Sequence, residues 1–287
     1  MALQPIVGDM SKLIDLIPQG ATLVGVEPKD WPAAIRAAAQ PLIHNGCIEP
    51  AYVDAMIGVV EEHGPYIVIA PGFALAHAQA SEHVHATSLS WCNLATPIEF
   101  GHKNDPVDVV VVLAAQDTGS HQAALKALAA LLQDAGAMKR IRTAESGEDL
   151  RDLLLKASDE DAQRLEARQT SSADGRSGAI IEAPSDLPAS KGKILTVCGN
   201  GLGTSLFLKN TLEQVLATWG WASLFTVEAT DTISAKGKAS DADCILTSGE
   251  IARTLGDLGV PMCIIENFTS EAEIDAALRE IYWIGEE

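Results

Sequence analysis

The chain has 287 residues, 47% hydrophobic and 21% charged, and carries a net charge of −19. Its length suits two domains with a core each. The acidic balance argues strongly against nucleic-acid binding, which rests on basic patches, and against docking to anionic lipid by charge alone. No stretch reaches 18 apolar residues, so no spanning helix is expected. The first twenty residues lack a basic n-region and an apolar core, which predicts no signal peptide. Five cysteines, Cys47, Cys92, Cys198, Cys244 and Cys263, are odd in number and widely spaced. They do not make a disulfide framework and fit a reducing cytoplasm.

Asp30, before Trp31-Pro32, predicts the cap of a helix ending near His44-Asn45-Gly46. A second helix is expected over 49–63. Tyr66-Ile67-Val68-Ile69-Ala70 reads as a buried strand closed by Pro71-Gly72, and the β-branched run 107–115 as a central strand. Leu125, Leu128 and Leu132 then recur at helical spacing, with Ser120 the expected cap and His121 in the first turn. Mixed strands and helices predict an α/β domain with a mixed sheet over 1–155. Residues 156–191, rich in Ser, Asp, Ala, Gly and Pro, read as a flexible linker. Over 192–287 the pattern alternates strand and helix. Strands are expected at 193–198, 222–227, 243–247 and 261–265. A helix is expected at 204–218, with Leu208, Leu212, Val215, Leu216 and Trp219 on one face. That is a small α/β domain with a four-stranded parallel sheet.

The strongest local signal is Cys198-Gly199-Asn200-Gly201-Leu202-Gly203-Thr204-Ser205, a glycine-rich loop between a strand and a helix. Glycines let backbone N–H groups turn inward, and a helix N-terminus adds partial positive charge, so such a loop holds a dianion. The same donors would stabilise a thiolate, which predicts a lowered pKa for Cys198 and a nucleophile beside its own phosphate cradle. Thr204 stands where a tyrosine-phosphatase loop has arginine. The loop lacks the lysine of a Walker motif and the G-x-G-x-x-G of a dinucleotide fold. The bland alternative is a buried cysteine ending a strand, the reading preferred for Cys244 and Cys263. In the first half, Pro71-Gly72-Phe73-Ala74-Leu75-Ala76-His77 presents an imidazole after small residues, where it is a nucleophile near neutral pH. The rival there is a metal site from His77, Glu82, His83 and His85. No second cluster supplies further ligands, so no metal is expected.

The cysteine loop, with Ala242-Asp243-Cys244-Ile245-Leu246-Thr247-Ser248, resembles enzyme IIB domains of the phosphoenolpyruvate-dependent sugar phosphotransferase system, nearest the ascorbate, lactose and galactitol types. The His77 segment resembles enzyme IIA domains of the mannitol–fructose and ascorbate type. So do Phe100-Gly101, Asn104-Asp105-Pro106-Val107, Leu113-Ala114-Ala115 and Ser120-His121. The resemblance implies a fused IIA–IIB phosphotransferase. His77 would accept the phosphoryl group from the phosphohistidine carrier protein HPr, His121 would assist it, and Cys198 would receive it. Gly199 to Ser205 would bind the phosphate. A separate membrane IIC permease would present the sugar or ascorbate-like sugar acid. The resemblance implies no cofactor and a cytoplasmic protein held at the membrane through IIC; a homodimer is compatible with it. Two positions depart from the family pattern: Ala76 stands where many relatives have proline, and Gln79 where many have arginine. A different class is a regulator that carries such domains as phosphorylation sensors, but this acidic chain shows no basic recognition element.

Overall fold

The computed structural model describes residues 13–171, 190–198 and 204–282. The first domain runs β1 (Thr22–Val26), α1 (Trp31–His44), α2 (Pro50–His63), β2 (Val68–Ala70), β3 (Phe73–His77), β4 (Ser88–Ile98), β5 (Val107–Ala114), α3 (Thr118–Gln133), α4 (Ala135–Arg142) and α5 (Gly147–Ser171). The second runs β6 (Lys193–Cys198), α6 (Ser205–Thr218), β7 (Thr226–Asp231), α7 (Thr232–Lys238), β8 (Cys244–Thr247), α8 (Gly249–Leu255), β9 (Met262–Ile264) and α9 (Glu271–Tyr282).

Local chemistry sets the helix starts. Asp30 accepts from Ala33 N at 2.9 Å, and Pro32 and Pro50 sit in first turns, where a missing N–H costs nothing. One cap differs from expectation. Asp117, not Ser120, caps α3: its Oδ1 accepts from Ser120 N at 2.9 Å and its Oδ2 from Ser120 Oγ at 2.8 Å. A carboxylate outcompetes a hydroxyl as acceptor for N-terminal N–H groups and suits the helix dipole. His121 stays in the first turn.

The first sheet has the order β1-β4-β5-β3-β2. β5, with its run of valines, lies in the middle. It pairs parallel with β3 and antiparallel with β4, so the sheet is mixed. One buried polar side chain links it to the helical layer. Asn93 accepts from Trp91 Nε1 at 3.0 Å and donates to Ile141 O at 2.7 Å, tying the sheet to α4. Asn93→Ala strands a buried indole N–H and a buried carbonyl, and a loss of about 2–4 kcal/mol is expected in urea unfolding. A loss below about 0.5 kcal/mol would show that water replaces the amide.

The second sheet, β7-β6-β8-β9, is parallel throughout. Cys263 Sγ approaches Ala277 O in α9, while Ile264 faces Gly249 in α8, so helices cover both faces. Two expectations need correction. The strand placed at 222–227 begins at Thr226, opposite Lys193, and runs to Asp231. Residues just before it turn instead: Leu224 N donates to Trp221 O at 2.9 Å, and Phe225 stacks on Trp221 at 6.0 Å. Stacking of the two rings holds the segment out of the ladder. The linker expected from 156 is helical as far as Ser171, because α5 continues. Residues 172–189 lie outside the described residues.

The two domains are in contact. α3 packs on α6, where Gln214 Nε2 donates to Gln133 Oε1 at 2.8 Å, and Phe268 N donates to Ile69 O at 3.0 Å.

Candidate active site

His77 is the last residue of β3, paired with Leu113 of the central strand and only 4% exposed. Its Nδ1 lies 3.0 Å from Leu75 O. A carbonyl only accepts, so Nδ1 carries the hydrogen and Nε2 keeps the lone pair. The strand thus presents one ring nitrogen with a free lone pair. Tyr52, on α2, braces this end of the sheet. Its hydroxyl lies 3.0 Å from Ala78 O and 3.2 Å from Leu113 O, and it accepts from Ala78 N at 3.1 Å. Burial pushes that phenol up to about 12, so it keeps its proton.

His121 reaches the same point from the first turn of α3. The two imidazole centroids are 5.7 Å apart, tilted by 47°. Burial lowers both. For His121 the value falls to about 4, through desolvation first and then the charge of His77. For His77 desolvation outweighs the hydrogen bond to Leu75. Both rings are therefore neutral at neutral pH, as a nucleophile and a hydrogen-bonding neighbour require. The same depression makes the fold acid-sensitive. An unfolded histidine titrates near about 6.5, so below that pH the unfolded chain binds protons that the native site refuses. The stabilising contribution is complete above about pH 6.5 and is lost as pH falls toward 4. His121→Gln is expected to shrink the drop in melting temperature between pH 7 and pH 5. An equal drop in both proteins would remove His121 as a cause.

Cys198 ends β6, paired with Asp231, and is 3% exposed. The helix that follows is pulled against the strand by Thr196 Oγ1, which donates to Ser205 O at 2.9 Å. Backbone and hydroxyl groups of Thr204 and Ser205 donate toward the sulfur and lower its pKa, but burial outweighs them and the thiol is raised. The expected lowering is thus corrected: with the domains together, desolvation wins over the donors described. Gly199, Asn200, Gly201, Leu202 and Gly203, expected to cradle phosphate, lie outside the described residues. Thr204 and Ser205 are buried beside the cysteine, and their hydroxyls have no oxygen or nitrogen partner among the described residues. The described interactions of these hydroxyls are with the Cys198 sulfur.

Tyr66, which the sequence did not single out, touches His77 and feels the charge of Cys198. Its ring meets His77 edge-on, centroids 6.2 Å apart at 78°. Its phenol is raised by burial first and then by the charges of Cys198 and Tyr52, so it stays a donor. In the sequence it opened the strand expected at 66–70, where tyrosine is common and gives no signal; the strand begins only at Val68, and Tyr66 lies in the turn before it.

The remaining histidines and cysteines fall elsewhere. His83 Nδ1 and His85 Nε2 both bond Glu49, at 2.9 and 3.0 Å, and these bonds hold the Glu49 carboxyl below its usual range. Among the described residues no group of three His, Cys, Asp or Glu is arranged to hold a metal ion. Gln79 is exposed. Cys244 is buried and Cys263 half-buried; they hydrogen-bond to each other, and no cysteine forms a disulfide.

Comparison with known proteins gives matches for both domains. Residues 16–157 match the family of the phosphoenolpyruvate-dependent sugar phosphotransferase system, EIIA 2. Residues 193–280 match the PTS system, lactose/cellobiose specific IIB subunit. The ascorbate-specific PTS system EIIA component of Shigella boydii is 32% identical over 146 residues, 50% of this chain and 95% of that protein. That of Salmonella typhimurium is 35% identical over 130 residues, 45% of this chain and 84% of that protein. Among solved structures, the mannitol-specific cryptic enzyme IIA CmtB from Escherichia coli aligns at 28% identity. It covers 50% of this chain and 97% of that one, with a TM-score of 0.47. No helix among the described residues is long and apolar enough to cross a membrane. A mixed-sheet domain ending a strand in histidine, followed by a parallel-sheet domain ending one in cysteine, each matched to its own family, makes this chain a member of the sugar phosphotransferase system: a fused IIA–IIB phosphotransferase component.

Proposed function

We propose that His77 accepts a phosphoryl group from phospho-HPr and hands it to Cys198. Cys198 then phosphorylates a sugar acid of the ascorbate class held by a separate membrane IIC subunit. Residues 1–155 would act as the IIA unit, 192–287 as the IIB unit and 156–191 as their connection, at the cytoplasmic face of the membrane. The ascorbate class follows from the similar IIA proteins.

The observation that carries this reading is the Nδ1–Leu75 hydrogen bond. Nε2 attacks phosphorus with its lone pair, an N–P bond forms, and the P–N bond to the carrier breaks. The ring keeps its Nδ1 hydrogen, so the phosphorylated imidazole is cationic and its carbonyl partner favours that charge. The thiolate of Cys198 then attacks phosphorus, and the N–P bond breaks. His77 departs as the neutral imidazole it began as, needing no proton. Cys198 must first lose its thiol proton to solvent, a cost that its burial raises. In such a transfer the protein's work is positioning and donation to the equatorial oxygens. His121, Tyr66, Thr204 and Ser205 are the candidate donors. The test is labelling with phosphoenolpyruvate, enzyme I and HPr, followed by mapping of acid-labile phosphate to His77 and of thiophosphate to Cys198.

A further inference from the structure

The contact between the domains is more specific than two helices touching. At its edge, residues 102–105 of the first domain meet residues 266–268 and Glu250 of the second. Lys103 Nζ pairs with Glu266 Oε1 at 2.6 Å, and Asn104 Nδ2 donates to Glu266 O at 2.7 Å. His102 is buried between the two. Its Nδ1 accepts from Asn104 N at 3.1 Å, so Nε2 bears the hydrogen. That nitrogen faces Glu250 Oε2 at 3.8 Å and Glu266 Oε2 at 3.9 Å, ion-pair rather than hydrogen-bond distances. Arg253 flanks Glu250 from outside at 3.4 Å. The stem of Glu250 lies over Gly64, where a Cβ would come within 3.3 Å of it.

Each loop is held by hydrogen bonds within its own domain. The Asp105 carboxylate accepts from Phe100 N, Gly101 N and His102 N at 3.0, 2.7 and 2.7 Å. On the other side the Glu273 carboxylate accepts from Glu266 N and Asn267 N at 2.7 and 2.9 Å. Each loop is also tied to its own nucleophile's frame. Asn104 O accepts from Gly72 N at 2.9 Å, in the turn that opens the His77 strand. Thr211 Oγ1, on the helix after the cysteine loop, donates to Phe268 O at 2.7 Å.

We propose that His102, Lys103 and Asn104 form a docking key that selects this chain's own second domain, through Glu250 and Glu266, and sets the approach of His77 to Cys198; its functional half rests on the relay reading above. Loops held this way lose little freedom on meeting, and charge matched across the edge rejects a second domain lacking these carboxylates. None of the three residues touches the phosphoryl group, so they position rather than catalyse.

The test uses the full chain in four forms: unaltered, Lys103→Glu, Glu266→Lys, and both together. One readout is the single-turnover rate of transfer from phospho-His77 to Cys198. The other needs no phosphate: hydrogen exchange of the peptide around 266–270, where Phe268 N–H is bonded to Ile69 O. Each reversal is expected to slow transfer about tenfold and to expose that peptide, and the double exchange to recover both to within about threefold. His77 labelling by HPr should be unchanged in all four. Single reversals that match the unaltered chain in both readouts, or a double exchange that recovers neither, would overturn the key. Absent Cys198 label in the unaltered chain, with the exchange pattern as expected, would instead sink the relay and leave the docking key standing.

Discussion

Replacing His77 with alanine is expected to abolish label on both halves of the chain, by at least about 10⁴-fold, when the protein is incubated with phosphoenolpyruvate, enzyme I and HPr. The size follows from what the side chain supplies. On the proposed relay it is the bond-forming nucleophile, and no described neighbour offers a substitute. His121 is 5.7 Å away centroid to centroid and lacks the carbonyl contact that fixes a tautomer on His77. Tyr52 and Tyr66 hold their protons far too tightly to react. The fold should tolerate the change, because the histidine ends its strand and main-chain pairing with Leu113 is untouched. Normal labelling of Cys198 in the His77→Ala chain would contradict the relay order, since Cys198 would then have another donor.

Cys198→Ser is expected to split the two steps. His77 should still take label from HPr, while transfer to substrate in the presence of IIC falls by at least about 10³-fold. Serine is a near-isostere in a site that is 3% exposed, so the pocket survives. The chemistry does not: a hydroxyl ionises several units higher than a thiol, in surroundings that already resist ionisation. Phospho-His77 should therefore accumulate and decay only by hydrolysis or by return to the carrier. Loss of His77 label in the serine variant would mean that Cys198 shapes the first acceptor site as well, and that the steps are not separable.

Much of the architecture was legible because each element's period, caps and punctuation agree. Asp30-Trp31-Pro32 announced α1 to the residue, and the valine run of β5 announced a strand buried on both faces. The misreadings have local causes. Ser120 and Asp117 are both acceptable caps, and only three-dimensional geometry decides between them. Residues 222–225 are apolar enough for a strand, yet ring stacking bends them away. The composition of 156–171 is that of a linker, but lysine, glutamate, alanine and leucine are also good helix formers, and α5 carries on through them. At the site, His77 and His121 were named as candidates from the resemblance to IIA domains, and the structure brings their rings together. Cys198 was found as well, but its pKa was read in the wrong direction, because donors are visible in a sequence and burial is not. Tyr66 and the docking residues were missed because they matter only when the two domains meet.

The burial of the two nucleophiles has a consequence for traffic through the protein. His77 and Cys198 are each under 5% exposed, so on the proposed relay a carrier protein or a permease would need the site to open before reaching its target. The same burial would keep water out and shield a phosphoramidate from hydrolysis at the moment of exchange. On the proposed relay the assembly would work as an airlock: loading with one door open, exchange with both shut, delivery with the other open. The edge contact suits that cycle. Lys103 is 76% exposed, and so exposed an ion pair adds little stability: it can align the doors without locking them.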